Sequence, residues 1–129
     1  VSQSQTILLV DDQQMVLEPM QEALSMSGYH VLAASGGQEG VELFSAHSNA
    51  IDLVIADIKM PVKSGADVAR EIRKVNADIP VLFITSQDQY ESLKAIGEFS
   101  NYYLLHKPFS LECLLGCISS VVPKNTGEH

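Results

Sequence analysis

The chain has 129 residues, 46% of them hydrophobic, and a formal net charge of −8. That length makes one domain with a proper core, and the acidic balance argues against nucleic acid as a direct partner, since phosphate backbones are held by clustered Lys and Arg. No apolar run approaches the roughly 20 residues a membrane helix needs, and no secretory signal is visible, so the expected setting is the cytoplasm without membrane insertion.

Residues 1–5 read as an N-terminal tail, 6–122 as the domain and 123–129 as a C-terminal tail. Ile7-Leu8-Leu9-Val10 is a short apolar run that ends in Asp11 and Asp12, and it predicts a buried strand over about 6–10. A helix over about 13–27 follows, with Val16, Met20, Leu24 and Ser27 on one stripe. Pro19 falls inside it, so either the helix kinks there or a clean helix starts late with Pro19 in its first turn. Gly28 is the expected stop. Residues 29–34 read as the second strand. Gly36-Gly37 turns the chain into a helix over about 38–46, with Val41, Leu43 and Phe44 buried. Leu53-Val54-Ile55-Ala56 predicts the third strand, which ends in Asp57 with Met60-Pro61 turning the chain just beyond. Ser64 is placed to cap a helix over about 66–75, with Asp67 three residues on. Pro80 opens the fourth strand at its permitted first position, and that strand ends in Thr85. A short, weakly amphipathic helix over about 89–97 is expected to be the most mobile. Tyr102-Tyr103-Leu104-Leu105-His106 predicts the fifth strand, which ends in Lys107-Pro108. Ser110 caps a last helix over about 111–121, with Leu111, Leu114, Leu115 and Ile118 inward and Pro123 as its end. Cys113 and Cys117 lie four apart in that apolar helix. No His or third Cys stands at ligand spacing, so they read as core thiols in a reducing compartment rather than a metal pair.

The alternation of strand and helix, five times over, implies a parallel sheet with helices on both faces and right-handed crossovers. The expected architecture is a flavodoxin-like, doubly wound α/β fold with strand order 2-1-3-4-5. In such sheets ligands bind at the carboxyl ends of the strands. Here those ends deliver Asp11-Asp12, Asp57, Thr85 and Lys107 to one edge. Three converging carboxylates repel one another, and a hard divalent cation such as Mg²⁺ is the cheap remedy. A lone carboxylate is also a nucleophile able to form an aspartyl phosphate. Phosphoryl transfer asks mainly for positioning and charge neutralisation. Mg²⁺, Lys107 and the Thr85 hydroxyl would each cover phosphoryl oxygens. Taken singly, Asp11 and Asp12 read as helix caps, Asp57 as a turn carboxylate, Thr85 as a strand-end hydroxyl and Lys107 as a solvated charge. The joint pattern is sharper, because all four sites fall at the same sheet edge.

Val10-Asp11-Asp12, Asp57-Ile58-Lys59-Met60-Pro61 with Ser64-Gly65, Thr85, and Lys107-Pro108-Phe109 together resemble the receiver domain of two-component response regulators. The resemblance covers about residues 6–122. It implies that Asp57 takes a phosphoryl group from a phosphohistidine of a histidine kinase or a histidine phosphotransfer protein. It implies that Asp12, Asp57 and the backbone carbonyl of Lys59 bind Mg²⁺ (or Mn²⁺), with Asp11 acting mostly through water. It implies that Thr85 and Lys107 hold the phosphoryl group, that the Lys107–Pro108 peptide is cis, and that Asp57, Thr85 and Lys107 form the reacting set. The domain is then no enzyme in its own right but a signalling phosphoacceptor that assists its own phosphorylation and dephosphorylation. The face made by the 89–97 helix, the fifth strand and the last helix would meet the partner, an attached effector or kinase domain, or a second copy in a homodimer.

Several residues depart from the family pattern. Ser86 stands where Ala or Gly is common. Leu104 stands where Tyr or Phe is common, with Tyr102 and Tyr103 just upstream, so the family's aromatic switch is replaced by leucine unless a bulge near His106 restores Tyr103 to that position. Lys59 and Gln87 occupy positions that in the family influence how long the phosphate survives. A flavodoxin would need a Ser/Thr/Gly-rich phosphate loop after the first strand, where this chain has Asp-Asp-Gln-Gln. An aspartyl phosphatase usually wants a general acid two residues after its nucleophile, where this chain has Lys59. A receiver serving only as a docking module in a hybrid histidine kinase would lack site residues, and none is missing. The absence of an initiator methionine and the short tails lead us to expect a domain excised from a longer protein.

Overall fold

The computed structural model of the protein describes residues 5–86 and 100–122. The expected helix over 89–97, Gln87, Pro123 and both tails, apart from Gln5, lie outside these residues. The strands β1 (Thr6–Val10), β2 (His30–Ala34), β3 (Leu53–Asp57), β4 (Val81–Thr85) and β5 (Tyr102–His106) form one parallel sheet in the order β2-β1-β3-β4-β5. The helices are α1 (Gln14–Met26), α2 (Gly37–His47), α3 (Gly65–Val75) and α4 (Leu111–Val121).

β1, β3 and β4 are buried at every residue. A strand covered on both faces has no polar side to present, which is why these three read as continuous apolar runs. Their side chains alternate between two cores. Leu8, Val10, Val54, Ala56, Val81 and Phe83 pack with Phe44 of α2 and Ile72 of α3. Ile7, Leu9, Leu53, Ile55, Leu82 and Ile84 pack with Leu17 and Leu24 of α1 and with Leu114 and Ile118 of α4.

Three details of the sequence reading are corrected. α1 runs through Pro19, and its buried line passes through Leu17 and Leu24, with Val16 and Met20 only half-buried. Pro19 sits on the exposed side, where water can satisfy the carbonyl freed by its missing N–H. In α2, Val41 and Leu43 are half-buried, while Gly37, Gly40 and Phe44 are buried. The helix backbone comes close to the sheet at Gly40, where a Cβ would lie 2.9 Å from a Val10 methyl. Close approach through Gly37 and Gly40, together with the bulk of Phe44, therefore marks the face of α2 that turns inward. In α4, Leu114 and Ile118 are buried, but Leu111 is 46% exposed, and Cys113, expected in the core, is exposed with Cys117 only half-buried. Leu111 occupies the helix's first position.

Arg73 fixes the start of β5. Its guanidinium donates to the carbonyls of Ile79, Ser100 and Asn101 at 2.9, 2.7 and 2.8 Å. Burial holds its pKa below the usual arginine value.

α3 begins in direct contact with the strand end that carries Asp57. Ser64 and Asp67 form a reciprocal capping box, each side chain accepting the other's backbone N–H at 3.1 Å. The Gly65 N–H donates to the Ile58 carbonyl at 2.8 Å. A Cβ at Gly65 would overlap the Asp57 carbonyl oxygen and stand 2.9 Å from the Ile58 Cα. Both neighbours are backbone and cannot swing aside. We expect Gly65→Ala to destabilise the domain by about 3 kcal/mol, the upper range for overpacking. Urea unfolding of the two proteins checks this.

Candidate functional site

Strand register assembles the site. Val10 pairs with Ala56, which puts Asp11 level with Asp57. Asp57 pairs with Ile84, so Thr85 lies one residue beyond it. Thr85 pairs with His106, so Lys107 lies one further. Side chains alternate across a strand. By that alternation Asp11, Asp57 and Lys107 belong to the sheet face covered by α1 and α4, and Thr85 to the face covered by α2 and α3.

Asp57 is 4% exposed. Its Oδ1 accepts the Lys59 N–H at 3.1 Å, and its Oδ2 accepts from Lys107 Nζ at 2.9 Å. The Lys107–Pro108 peptide is cis. An open cleft of about 530 Å³ is lined by Asp12, Gln13, Asp57, Lys59, Ser86 and Lys107, with Met60 and Pro61 at its side. The cleft thus brings together Asp12, Asp57, Lys59 and Lys107. Asp11 and Thr85 do not line it and are 1% and 0% exposed. The Thr85 hydroxyl donates to the Ser86 carbonyl at 3.3 Å. Gln13 was not singled out from sequence. Its position, directly after a strand-end carboxylate pair and before a helix, was the available signal.

Asp11 is the strained member of this group. Its Oδ1 accepts the Gln13 N–H at 2.9 Å, a turn that starts α1, but its Oδ2 is buried with no partner. Burial, opposed by the Gln13 hydrogen bond and aided by the charge of Asp57, raises its pKa above the ordinary 3.8. Among the described residues no three Asp, Glu, His or Cys side chains form a ready-made metal cage. Mg²⁺ does not ask for one, since it keeps several waters and takes one or two carboxylates. Asp12 and Asp57 on the cleft, with the orphaned Asp11 oxygen behind them, suit that coordination habit.

A buried, unpartnered carboxylate charge costs stability, so Asp11→Asn should stabilise the metal-free protein at neutral pH by about 1–3 kcal/mol. The sign with pH follows from the raised pKa. Below about pH 3.8 Asp11 is protonated in both folded and unfolded states and carries no penalty. As pH rises through the higher folded value, the folded state pays for ionisation. The variant's advantage should therefore open as pH increases, and added Mg²⁺ should close it. Thermal unfolding with and without Mg²⁺ across pH measures both.

Residues 7–119 match the family model of the response regulator receiver domain. The response regulator MprA of Mycolicibacterium vanbaalenii is 35% identical over 121 residues, 93% of this chain and 51% of that protein. The sensor kinase CckA of Brucella abortus is 31% identical over 124 residues, 96% of this chain and 13% of that protein. The chain thus spans about half the length of the first relative and a small part of the second. A crystal structure of the response regulator TrrA from Thermotoga maritima, in complex with Mg²⁺ and BeF, is similar with a TM-score of 0.76. It is 33% identical and covers 92% of this chain and 99% of its own. Among the described residues no helix is long and apolar enough to cross a membrane.

Proposed function

This chain belongs to the response regulator receiver family, a signalling domain of two-component systems, and from that membership we propose that Asp57 is its phosphoacceptor. The observation that carries the reading is a nearly buried carboxylate facing an open cleft, with a lysine ammonium 2.9 Å away. One carboxylate oxygen of Asp57 attacks the phosphorus of a phosphohistidine. A P–O bond forms, the P–N bond breaks, and the imidazole leaves with a proton from water. The donor is a histidine kinase or a histidine phosphotransfer protein.

Asp12, Asp57 and the Lys59 carbonyl would hold Mg²⁺ or Mn²⁺, with Asp11 acting behind them. Bound there, the cation would neutralise the acidic cluster and the incoming phosphoryl oxygens. Lys107 already sits on Asp57 and is placed to follow its charge onto the phosphoryl group. Thr85 is one residue beyond Asp57 in register, and its hydroxyl would turn to the phosphoryl oxygens after release of the Ser86 carbonyl. Lys107 directly follows β5, so the change would pass to β5 and α4. That face meets an effector or kinase domain of a longer protein, or a second copy. The hybrid architecture of a sensor kinase is one such parent, as the match to CckA illustrates.

The test is incubation with acetyl phosphate, with Mg²⁺ or with EDTA, followed by intact-mass measurement. A phosphoryl adduct that depends on the cation is the expected result. A protein that binds its partner yet never takes up phosphate under any donor would instead be a docking module.

A further inference from the structure

The β3–α3 loop holds a residue whose conformation the domain itself does not reward. Val62 has φ 70°, and the Lys63 N–H donates to the Pro61 carbonyl at 2.7 Å across it. That is a γ-turn with positive φ, the rare and strained form. A β-branched residue there is an outlier, since its Cβ crowds the backbone where glycine would not. Its flanks force the turn. Lys63 is ion-paired with Glu71, its Cβ packs where a Cβ on Gly37 would lie 2.8 Å away, and the Ser64 capping box follows at once.

The side chain gains nothing inside the fold in return, being fully exposed at 104% of its reference area. A single exposed valine is ordinary. A strained one is not, and strain of this kind collects at functional sites. Its neighbours Met60 and Pro61 line the cleft over Asp57. Asp57 is nearly buried, so a protein that brings an imidazole to it must press its own surface onto the cleft rim.

We infer that Val62 is an apolar contact for the phosphohistidine-bearing protein, held outward by the strained turn so that it is buried only in the transfer complex. This rests on the reading of Asp57 as phosphoacceptor and adds a residue that distinguishes protein donors from small ones.

The experiment compares Val62→Gly, Val62→Ser and Val62→Ile with the wild type. Two donors are used: acetyl phosphate, and the purified autophosphorylated histidine kinase that phosphorylates the wild type fastest in a panel. Val62→Gly should unfold at higher urea than the wild type, because the strain is relieved. Its rate with acetyl phosphate should be unchanged. Its kcat/KM with the kinase should fall about ten-fold through KM, the effect of losing one buried valine contact. Val62→Ser should fall similarly and Val62→Ile should match the wild type. A more stable protein that transfers more slowly cannot be explained by misfolding. Unchanged transfer in Val62→Gly overturns the inference. Equal slowing with both donors also overturns it, in favour of loop geometry. A wild type that accepts phosphate from neither donor overturns the reading of Asp57, and this inference falls with it.

Discussion

Asp57→Asn is expected to abolish phosphoryl uptake from every donor. The amide is nearly isosteric, and its oxygen can still accept the Lys59 N–H that Asp57 Oδ1 accepts at 3.1 Å. What it lacks is an anionic oxygen able to form a P–O bond. The other acid on the cleft, Asp12, is the natural competitor. Asp12 follows β1 and is more exposed, whereas Asp57 closes the central strand β3 with the lysine beside it. Intact mass after treatment with acetyl phosphate and Mg²⁺ reads the outcome directly. An adduct that survives Asp57→Asn would move the phosphoacceptor to another acid. The variant should remain folded, since the substitution also removes one of the charges that raise the pKa of Asp11.

The features that place the site were legible because they are features of strand ends. Buried parallel strands leave apolar runs bounded by turns, and the residue after each run falls at the carboxyl edge whatever the packing beneath. Asp11, Asp12, Asp57, Thr85 and Lys107 could therefore be placed together at that edge. Distances and burial could not. Nothing in sequence says that Asp11 Oδ2 is orphaned, or that Lys107 lies on Asp57. Glycine contacts were missed for a related reason. Gly37 and Gly40 set the seating of α2 by what they lack, and a search for apolar periodicity passes over them. The positive φ of Val62 was hidden altogether, since valine is the residue type least expected there.

Leu104 shows what register adds to pattern. β4 and β5 pair without interruption from Val81–Tyr102 to Thr85–His106, so no bulge intervenes. Leu104 then shares the sheet face of Thr85 and packs in the core with Phe83, while Tyr103 lies on the opposite face and is 39% exposed. The tyrosine on the Thr85 side is Tyr102, two residues before Leu104. It meets Phe83 edge-on with centroids 6.0 Å apart. His106 thus stands opposite Thr85 on that face and Leu104, which has no hydroxyl, opposite Phe83, so any coupling from a phosphorylated Asp57 is expected to run through packing and through Lys107.

That makes Lys107→Ala the variant with the largest expected effect on coupling. Two consequences should appear, in different states. Before phosphorylation, Asp57, 4% exposed in the wild type, loses the ammonium at 2.9 Å. Removing one partner of a buried pair leaves the other charge uncompensated, at 3–5 kcal/mol when both are fully buried. Lys107 keeps 31% of its side chain in solvent, so the expected loss is smaller, about 2 kcal/mol. Mg²⁺ should restore most of it, because a cation beside Asp57 supplies the missing positive charge. After phosphorylation the deficit is different in kind. The new phosphoryl group still forms on Asp57, but no side chain links it to β5. Amide chemical shifts report this residue by residue. In the wild type, phosphorylation should move resonances in β5 and α4. In Lys107→Ala the shifts should stay near Asp57 and the loop after β3. Undiminished shifts in β5 and α4 of the variant would show that the signal crosses through Thr85 and the β4–β5 pairing instead.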